Sequence, residues 1–355
     1  MRTELYDYDL PPGRIAQYPP RIRRKCRMLV LNRADGSIVH ARFEELPHFL
    51  ARGDLAVFNN TKVIPARLLG RKADTGGKVE VFLLRRVTGR TWEAMVRPGA
   101  RCRPGMTVDI GGKGELRVAV GERLGEGKRI VELLCPGSVA AALAKHGHTP
   151  LPPYIDRADE KADTRDYQTV FARIPGAVAS PTAGLHFDRV MLDWLARAGI
   201  RRAEITLHVG EGSFRPIRAA TVEAHKLEHE CFTVSRTAIR RLASAHRAGK
   251  RIIAVGTTVA RALETVAAAH EAPVADWVDP AHAPRRTSGE TDVFIAEPYR
   301  FRVIDALLTN FHLPRSSLLV LVSAFAGRER VLAAYAEAVK KNYRFYSYGD
   351  CMLML

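Results

Sequence analysis

The chain has 355 residues, 46% of them hydrophobic and 26% charged, which is typical of a globular protein. At about 150 residues per domain, this length suggests two or three domains. Five cysteines without a CxxC pair exclude a disulfide scaffold, a cysteine-rich zinc module and a thioredoxin-type motif. The 55 basic against 38 acidic residues give a net charge of +17, which favours a polyanionic partner such as nucleic acid. A generally basic proteome is the alternative explanation.

The sequence predicts neither an export signal nor a membrane span. The first ten residues include Glu4, Asp7 and Asp9, where a signal peptide would have an apolar stretch. The longest apolar run near the end of the chain, 316–326, is about 11 residues long, whereas a membrane span needs roughly 20. We therefore expect a cytoplasmic protein.

The first 70 residues predict mixed α/β structure. A short apolar strand is predicted over 28–31, and helical spacing over 43–51 ends at Gly53. Residues 55–58 form a buried type of strand that runs into the polar turn Asn59-Asn60-Thr61.

Composition changes after residue 70. Residues 70–137 contain 13 of the 27 glycines, and short strands are predicted there at 78–84, 91–96, 107–110, 115–120 and 129–134. This pattern is typical of a small β-barrel or sandwich. We predict an α/β catalytic domain formed by residues 1–70 and 151–355, interrupted by an inserted all-β, barrel-like domain at 71–150.

The α/β pattern returns in the second half of the chain. Helices are predicted over 187–198, 259–269 and 330–343, strands over 204–209, 251–255 and 318–324, and a loop over 276–289.

Several polar turns at the ends of these elements are candidate sites. His186, His208 and His312 each lie in a turn with glycine or proline nearby, where a backbone can approach a ligand and an imidazole can act as acid, base or hydrogen-bond partner. Gly256-Thr257-Thr258 lies between a strand and a helix, where the hydroxyls could cap the helix or free N–H groups could hold an anion. Structural roles for these residues remain open.

One short motif suggests a metal. His225, Glu228 and His229 spell H-x-x-E-H, a zinc-protease signature that requires two histidines on one helix face and a third ligand. Because five-residue matches arise by chance, a zinc hydrolase is a less favoured alternative.

Several polar or glycine-containing blocks follow one another along the chain. They include Phe58-Asn59-Asn60-Thr61-Lys62-Val63-Ile64-Pro65-Ala66-Arg67, Pro181-Thr182-Ala183-Gly184-Leu185-His186-Phe187, His208-Val209-Gly210, Gly256-Thr257-Thr258, Leu308-Thr309-Asn310-Phe311-His312-Leu313-Pro314 and Tyr346-Ser347-Tyr348-Gly349-Asp350. In this order the blocks resemble those of the S-adenosylmethionine:tRNA ribosyltransferase-isomerase family of the queuosine pathway.

The resemblance implies a fold, a reaction and its substrates. The family fold is an α/β domain with an inserted β-barrel. The ribosyl group of S-adenosylmethionine is transferred to the 7-aminomethyl-7-deazaguanine at the tRNA wobble position and isomerised, giving epoxyqueuosine in the tRNA with release of adenine and methionine. No metal is implied, and we expect a monomer.

The resemblance also implies roles for the residues in the matched blocks. His186, His208 and His312 are candidates for the acid and base steps, with their individual roles left open. Thr182, Gly184, Thr257 and Thr258 are candidates for the co-substrate's ribose and carboxylate, and Asn59, Thr61, Arg67 and Asp350 are candidate polar neighbours. A basic run, together with basic residues near the C-terminus, is a candidate for tRNA phosphates: Arg21, Arg23, Arg24, Lys25, Arg27, Lys340, Lys341 and Arg344.

One departure from the family pattern bears on activity. The family usually has Arg-Asp-x-Ser/Ala-Arg where this chain has Arg23-Arg24-Lys25-Cys26-Arg27. A basic residue therefore replaces an acid at Arg24, which keeps open a non-catalytic tRNA-binding relative as an alternative.

Overall fold

The computed structural model describes residues 1–112, 114–125, 127–214, 216–279, 281–284 and 286–355, with only the backbone of Ser213 and Phe214. The strands are β1 (Arg27–Leu31), β2 (Ile38–Arg42), β3 (Leu55–Asn59), β4 (Thr61–Val63), β5 (Arg67–Lys72), β6 (Lys78–Thr88), β7 (Thr91–Arg97), β8 (Thr107–Ile110), β9 (Leu116–Gly125), β10 (Lys128–Leu134), β11 (Ile174–Ala177), β12 (Arg201–Leu207), β13 (Glu230–Thr233), β14 (Ile252–Val255), β15 (Ser288–Thr291), β16 (Ala306–Asn310) and β17 (Cys351–Met354). The α-helices are α1 (Val139–His146), α2 (Asp163–Asp166), α3 (Arg189–Arg197), α4 (Arg236–Arg247), α5 (Thr257–Ala268), α6 (Ser317–Ala326) and α7 (Arg328–Lys340).

A large mixed sheet organises most of the chain. Its strand order is β15-β13-β12-β3-β14-β16-β17-β1-β2. The four central strands β12, β3, β14 and β16 are mutually parallel neighbours. Because parallel strands point the same way, their carboxyl ends meet at one edge of the sheet, where α/β proteins bind ligands.

The core lies on both faces of this sheet. Along β3, the side chains of Leu55 and Val57 enter one buried cluster, which also contains residues of α4 to α7. Ala56 and Phe58 point the other way into a second cluster with residues of α3. Strands buried on both faces read as continuous apolar runs, which is why this strand was predictable.

The second unit is a closed antiparallel barrel with strand order β10-β7-β6-β5-β8-β9. Inward-facing residues alternate along each strand, as in the pattern of Val79, Val81 and Leu83 on β6, and fill the interior with their own cluster. The barrel and the mixed sheet confirm the predicted fold class. The first barrel strand, β5, crosses the predicted boundary at residue 70, and the division into domains stays a prediction.

One predicted element is wrong, and another is a different type of helix. Residues 318–324 belong to helix α6, which Ser316 begins by accepting a hydrogen bond from the N–H of Leu319 at 3.2 Å. Since α6 is buried on nearly every side, its residues are apolar without a helical period, and the run resembles a strand. The predicted helix at 43–51 is a 3-10 helix, Phe43–Phe49, with Pro47 inside it.

Among the helices of the described residues, none is long and apolar enough to cross a membrane.

Candidate active site

Residues of the matched family blocks stand at the carboxyl end of each of the four central parallel strands. Asn59 ends β3 and Asn310 ends β16, while His208 directly follows β12. Gly256 follows β14 and precedes α5. The topology therefore brings together residues that are as much as about 250 positions apart in the sequence. Their spacing along the chain does not reveal this proximity.

A narrow cleft, the small cleft, opens at this edge with a volume of about 40 Å³. Four of the predicted residues line it: Thr182, Thr257, Thr258 and His312. Its walls also carry four buried polar atoms without a hydrogen-bond partner among the described residues: Ser180 Oγ, Arg261 Nη2, Asn310 Oδ1 and the Tyr346 hydroxyl. Because native proteins pair nearly all buried polar groups, this concentration makes the small cleft a candidate binding site.

Helix α5 begins at the small cleft. Gly256 has a φ of 98°, which favours glycine, and it turns the chain from β14 into the helix. Thr257 and Thr258 then supply the first helical N–H groups, which have no intrahelical acceptor. This is an arrangement that holds anions.

A second, wider cleft lies between the barrel and the sheet, with a volume of about 1130 Å³. We call it the large cleft; His208 lines it, and barrel residues such as Trp92 and Lys128 form its far wall. The two clefts adjoin, because Val209 lines both. A buried ion pair also separates them, since Glu230 lines the large cleft and its partner Arg261 lines the small one.

His208 lines the large cleft and directly precedes Val209, the residue that lines both clefts. Its Nδ1 lies 2.7 Å from the Thr61 hydroxyl, which orients the ring. A Cβ on Gly176 would lie 2.6 Å from its Cε1, so only glycine fits against the imidazole. Partial burial lowers the pKa of His208 below its ordinary 6.5, so the ring is neutral at neutral pH and can accept a proton.

His186 lies elsewhere, in a closed cluster with two cysteines. Its Nδ1 is 3.2 Å from Cys26 Sγ, and Asn310 Nδ2 is 3.1 Å from its Nε2. Asn310 also donates to the Tyr346 carbonyl at 2.9 Å. This bond fixes the amide as a donor toward Nε2 of the neutral ring and leaves the one proton of that ring on Nδ1, facing the sulfur.

The thiol and imidazole of this cluster stabilise each other's charged forms. Burial opposes ionisation of Cys26, but hydrogen bonding from Cys351 and the charge of His186 outweigh it and lower the pKa of Cys26 to about 6. Burial likewise opposes the charged form of His186, and Cys26 outweighs it, so the pKa of His186 is raised. Neither His186 nor Cys26 lines either cleft.

The cluster is also the one group in the described residues whose donors could hold a metal. The ligand atoms of Cys26, His186 and Cys351 lie within 4.8 Å of one another, and all three residues are buried. Two thiolates and an imidazole suit zinc. The expected absence of a metal therefore stays a prediction.

His312 is buried in the wall of the small cleft. Its Nε2 lies 3.0 Å from the Thr309 hydroxyl. Burial lowers the pKa of His312 to about 3. The ring is therefore neutral and acts as a hydrogen-bonding group, not as a cation.

Four other predicted residues make hydrogen bonds, an ion pair or close packing contacts within the fold. Asn59 accepts from the N–H of Leu207 at 3.0 Å and joins β3 to β12. Arg67 pairs with Glu80 on the barrel. Asp350 is buried and accepts from the N–H groups of Arg27 and Arg344. Gly184 is packed too tightly for a Cβ, and it lines neither cleft.

The predicted tRNA-binding residues, which we call the basic surface, come from two segments of the chain that Arg27 joins, and some of them are paired while others are exposed. Arg27 stacks 3.7 Å over Tyr343 and donates to the Lys341 carbonyl, which joins the basic run to the C-terminal segment. Arg23 donates to the carbonyl oxygens of three residues, Arg165, Asp166 and Gln168. Arg24 pairs with Asp188 at 2.6 Å, and Arg344 lies 3.9 Å from Asp350. The exposed members are Arg21, Lys25, Lys340 and Lys341.

The H-x-x-E-H segment does not form a zinc site of the predicted kind. His225 ends a 3-10 turn, and residues 226–229 are not helical, so the two histidines do not share a helix face. Glu228 instead pairs with Lys128 of the barrel at 2.6 Å.

Sequence reasoning missed Arg261, Glu230 and Cys351. Arg261 could have been found, because it lies four residues after Thr257 and therefore on the same face of α5. The meeting of Cys26 with Cys351 had no sequence signal, because it follows from the pairing of β1 with β17.

A mixed α/β fold with a polar cleft at the carboxyl edge of its parallel strands defines a class of ligand-binding enzymes. Comparison with known proteins gives the family. The chain belongs to the family described as Queuosine biosynthesis protein, which it matches over residues 3–354.

Individual relatives agree with this assignment. The chain is 50% identical over 356 residues to a protein of Moorella thermoacetica and 47% identical over 355 residues to one of Heliobacterium modesticaldum, with complete coverage of both partners in each comparison. Both are named S-adenosylmethionine:tRNA ribosyltransferase-isomerase. The crystal structure of S-adenosylmethionine tRNA ribosyltransferase from Thermotoga maritima is similar with a TM-score of 0.54 and 35% identity, covering 99% of this chain and 100% of that one.

Proposed function

We propose that this protein is an S-adenosylmethionine:tRNA ribosyltransferase-isomerase. The observation that carries the proposal is the full-length family match, with relatives of that name at 47–50% identity. In the reaction that the family resemblance implies, the ribosyl group moves from S-adenosylmethionine to the aminomethyl-deazaguanine at the tRNA wobble position and is isomerised. Adenine and methionine leave, and the tRNA gains epoxyqueuosine.

The two adjoining clefts suit the two substrates. The small cleft is too small for all of S-adenosylmethionine, whereas ligand pockets commonly measure about 300–1000 Å³. We place the methionyl end there and the ribose at the junction beside Val209, with the wobble base entering the large cleft. The base must be splayed out of the anticodon loop to reach it.

We propose that His208 acts as the base. The sulfonium acidifies the adjacent ribose carbon, so a neutral proton acceptor at the junction can remove a proton there. The lowered pKa of His208 keeps its ring neutral, and Thr61 holds it in place. Buried hydrogen-bonding groups such as His312 and Asn310 remain for orienting the co-substrate.

The exposed members of the basic surface, Arg21, Lys25, Lys340 and Lys341, supply phosphate contacts that position the RNA without reading its sequence. Phosphate binding of this kind weakens with salt. We also propose that the protein acts as a monomer in the cytoplasm and requires no metal.

Arg24 bears on the non-catalytic alternative. Its side chain pairs with Asp188 and stacks 5.6 Å from the centre of Trp194, and it lines neither cleft. Replacement of the family's acid by Arg24 thus adds no cation to the walls of either cleft, which supports a catalytic protein.

Turnover tests the function. The protein is incubated with S-adenosylmethionine and an anticodon stem-loop that carries the aminomethyl-deazaguanine, with and without a chelator. We expect free adenine and the matching mass gain on the RNA in both samples. RNA binding by folded protein without either product would support the non-catalytic relative, and loss of turnover with the chelator would contradict the metal-free mechanism.

A further inference from the structure

Arg261 carries an unused hydrogen-bonding group in the wall of the small cleft. The residue is 3% exposed. Its Nε donates to the Val293 carbonyl at 3.2 Å, and its Nη1 donates to Glu230. Its Nη2 is buried and has no acceptor among the described residues. The guanidinium charge is paired with Glu230, but a buried donor atom without an acceptor is costly, and such an atom points to a ligand.

The guanidinium is held rigidly. Two of its three nitrogens are engaged, and Glu230 is itself fixed because it accepts from the N–H of Gly210 at 2.9 Å. The planar fork therefore cannot rotate, and the position of Nη2 is preset. A preset donor spends no conformational entropy when a ligand arrives.

The surroundings of Arg261 select for an anion. Among the described residues that line the small cleft there is no aspartate or glutamate, because the partner of Arg261, Glu230, lines the large cleft instead. Of these described residues, Arg261 is the one charged residue on the small-cleft side, since His312 is neutral. The N-terminus of α5, with Thr257 and Thr258, lies at the same cleft. Helix geometry places Arg261 on the face of Thr257, one turn further along.

We propose that Arg261 and the first turn of α5 form a carboxylate subsite, which binds the α-carboxylate of the methionyl moiety of S-adenosylmethionine. The inference rests on the proposed function and deepens it. One carboxylate oxygen accepts from Nη2 of Arg261, and the helix N-terminus stabilises the same negative charge. The limited volume of the small cleft suits this end of the molecule, while the larger nucleoside part extends past Val209 into the large cleft.

The wild-type protein allows the first test, by titration calorimetry with S-adenosylmethionine and with its decarboxylated analogue. The two ligands share the sulfonium, ribose and adenine and differ only in the carboxylate. We expect the analogue to bind about 10- to 100-fold more weakly, as for loss of a charge-assisted hydrogen bond. Equal affinities would overturn the subsite while leaving the proposed function intact. Absence of binding by both ligands, together with absence of turnover, would overturn the proposed function and the subsite with it.

Substitution assigns the discrimination to Arg261. In Arg261→Gln we expect S-adenosylmethionine to bind about 10- to 100-fold more weakly and the decarboxylated analogue to bind within about threefold of wild type. Because this change leaves Glu230 buried without its cation, Arg261→Gln combined with Glu230→Gln is a second variant in which both charges are removed. The assignment would be overturned if either variant bound S-adenosylmethionine more tightly than the analogue by the same factor as wild type.

Arg129→Gln is the matched control. Arg129 is also a buried arginine with one unpartnered guanidinium nitrogen, but it lies on barrel strand β10 and lines neither cleft. We expect the Arg129→Gln variant to prefer S-adenosylmethionine over the analogue by the same factor as wild type. An equal loss of preference in Arg129→Gln and Arg261→Gln would show a general structural effect and overturn the subsite.

Discussion

His186 and His208 both lie in sequence blocks that resemble the family, but their surroundings in the structure are opposite. His208 lines the large cleft, with Thr61 as its hydrogen-bond partner and a lowered pKa. His186 is enclosed, with Cys26 as its partner and a raised pKa. Burial favours the neutral form of both rings, and the thiol beside His186 reverses its effect.

His208 lies in a cleft wall, which a ligand can reach, whereas His186 is buried behind Asn310. His186 contacts Asn310, and Asn310 lines the small cleft. A change at His186 therefore reaches the cleft through Asn310, whereas a change at His208 removes a group from the wall itself. This contrast predicts different readouts for the two histidines.

The largest effect is expected for His208→Ala. Loss of a general base commonly lowers the rate about 10²- to 10⁴-fold, and we expect a fall of that size in kcat/KM for adenine release. Because the pKa of His208 is below 6.5, the base remains neutral as the pH falls through 6.5 and becomes protonated only further into acid. The acid limb of the wild-type rate profile should therefore lie below pH 6.5.

His148→Ala is the control for this prediction. His148 is half-exposed, pairs with Asp159 at 3.1 Å and lines neither cleft. We expect its turnover to remain within about twofold of wild type, as for surface changes away from a site. Wild-type turnover in His208→Ala would remove His208 from the mechanism.

A smaller effect, on stability, is expected for His186→Ala. The change leaves a cavity and strips partners from Cys26 and Asn310, so we expect a loss of about 2–4 kcal/mol in the free energy of unfolding. Urea denaturation measures this loss, and single-turnover kinetics on the folded fraction measures activity. A variant with wild-type stability and a turnover reduced more than a hundredfold would instead make His186 a catalytic residue and end the contrast with His208.

The fold was more predictable than the site, for physical reasons that these residues illustrate. Strand β3 and the barrel strands were readable because burial imposes a local pattern on their residues. Helix α6 was misread because burial on every side removes its period. Thr257 and Thr258 were found from their place between a strand and a helix, whereas the Cys26–His186–Cys351 cluster needs the pairing of β1 with β17, which no local pattern encodes.

The protonation state of Cys26 can be measured by spectroscopy, and it tests the surroundings that distinguish His186 from His208. A thiol with its ordinary pKa of 9.0 is protonated at neutral pH, but the pKa of Cys26 is about 6, so its thiolate should form as the pH rises through about 6. Thiolate absorbance in the ultraviolet measures this titration. We expect a thiolate step near pH 6 in wild type, loss of that step in Cys26→Ser, and the same step in the control Cys135→Ser. A wild-type titration that begins near pH 9 would contradict the thiol–imidazole pair.

The smallest effect is expected for Arg24→Asp, which restores the acid that the family usually has at this position. The change breaks the pair with Asp188 and sets two carboxylates side by side near the start of α3. Because both side chains are about one quarter exposed, we expect a loss of only about 1 kcal/mol in unfolding free energy. Arg24 lines neither cleft, so kcat should stay within about threefold of wild type, while RNA affinity falls slightly through the lost positive charge.

Arg24→Ala is the control, since it removes the cation without adding an acid. A tenfold or larger rise in kcat with Arg24→Asp, absent from Arg24→Ala, would show that the acid has a catalytic role that this chain lacks. The active region would then extend beyond the clefts to the first turn of α3.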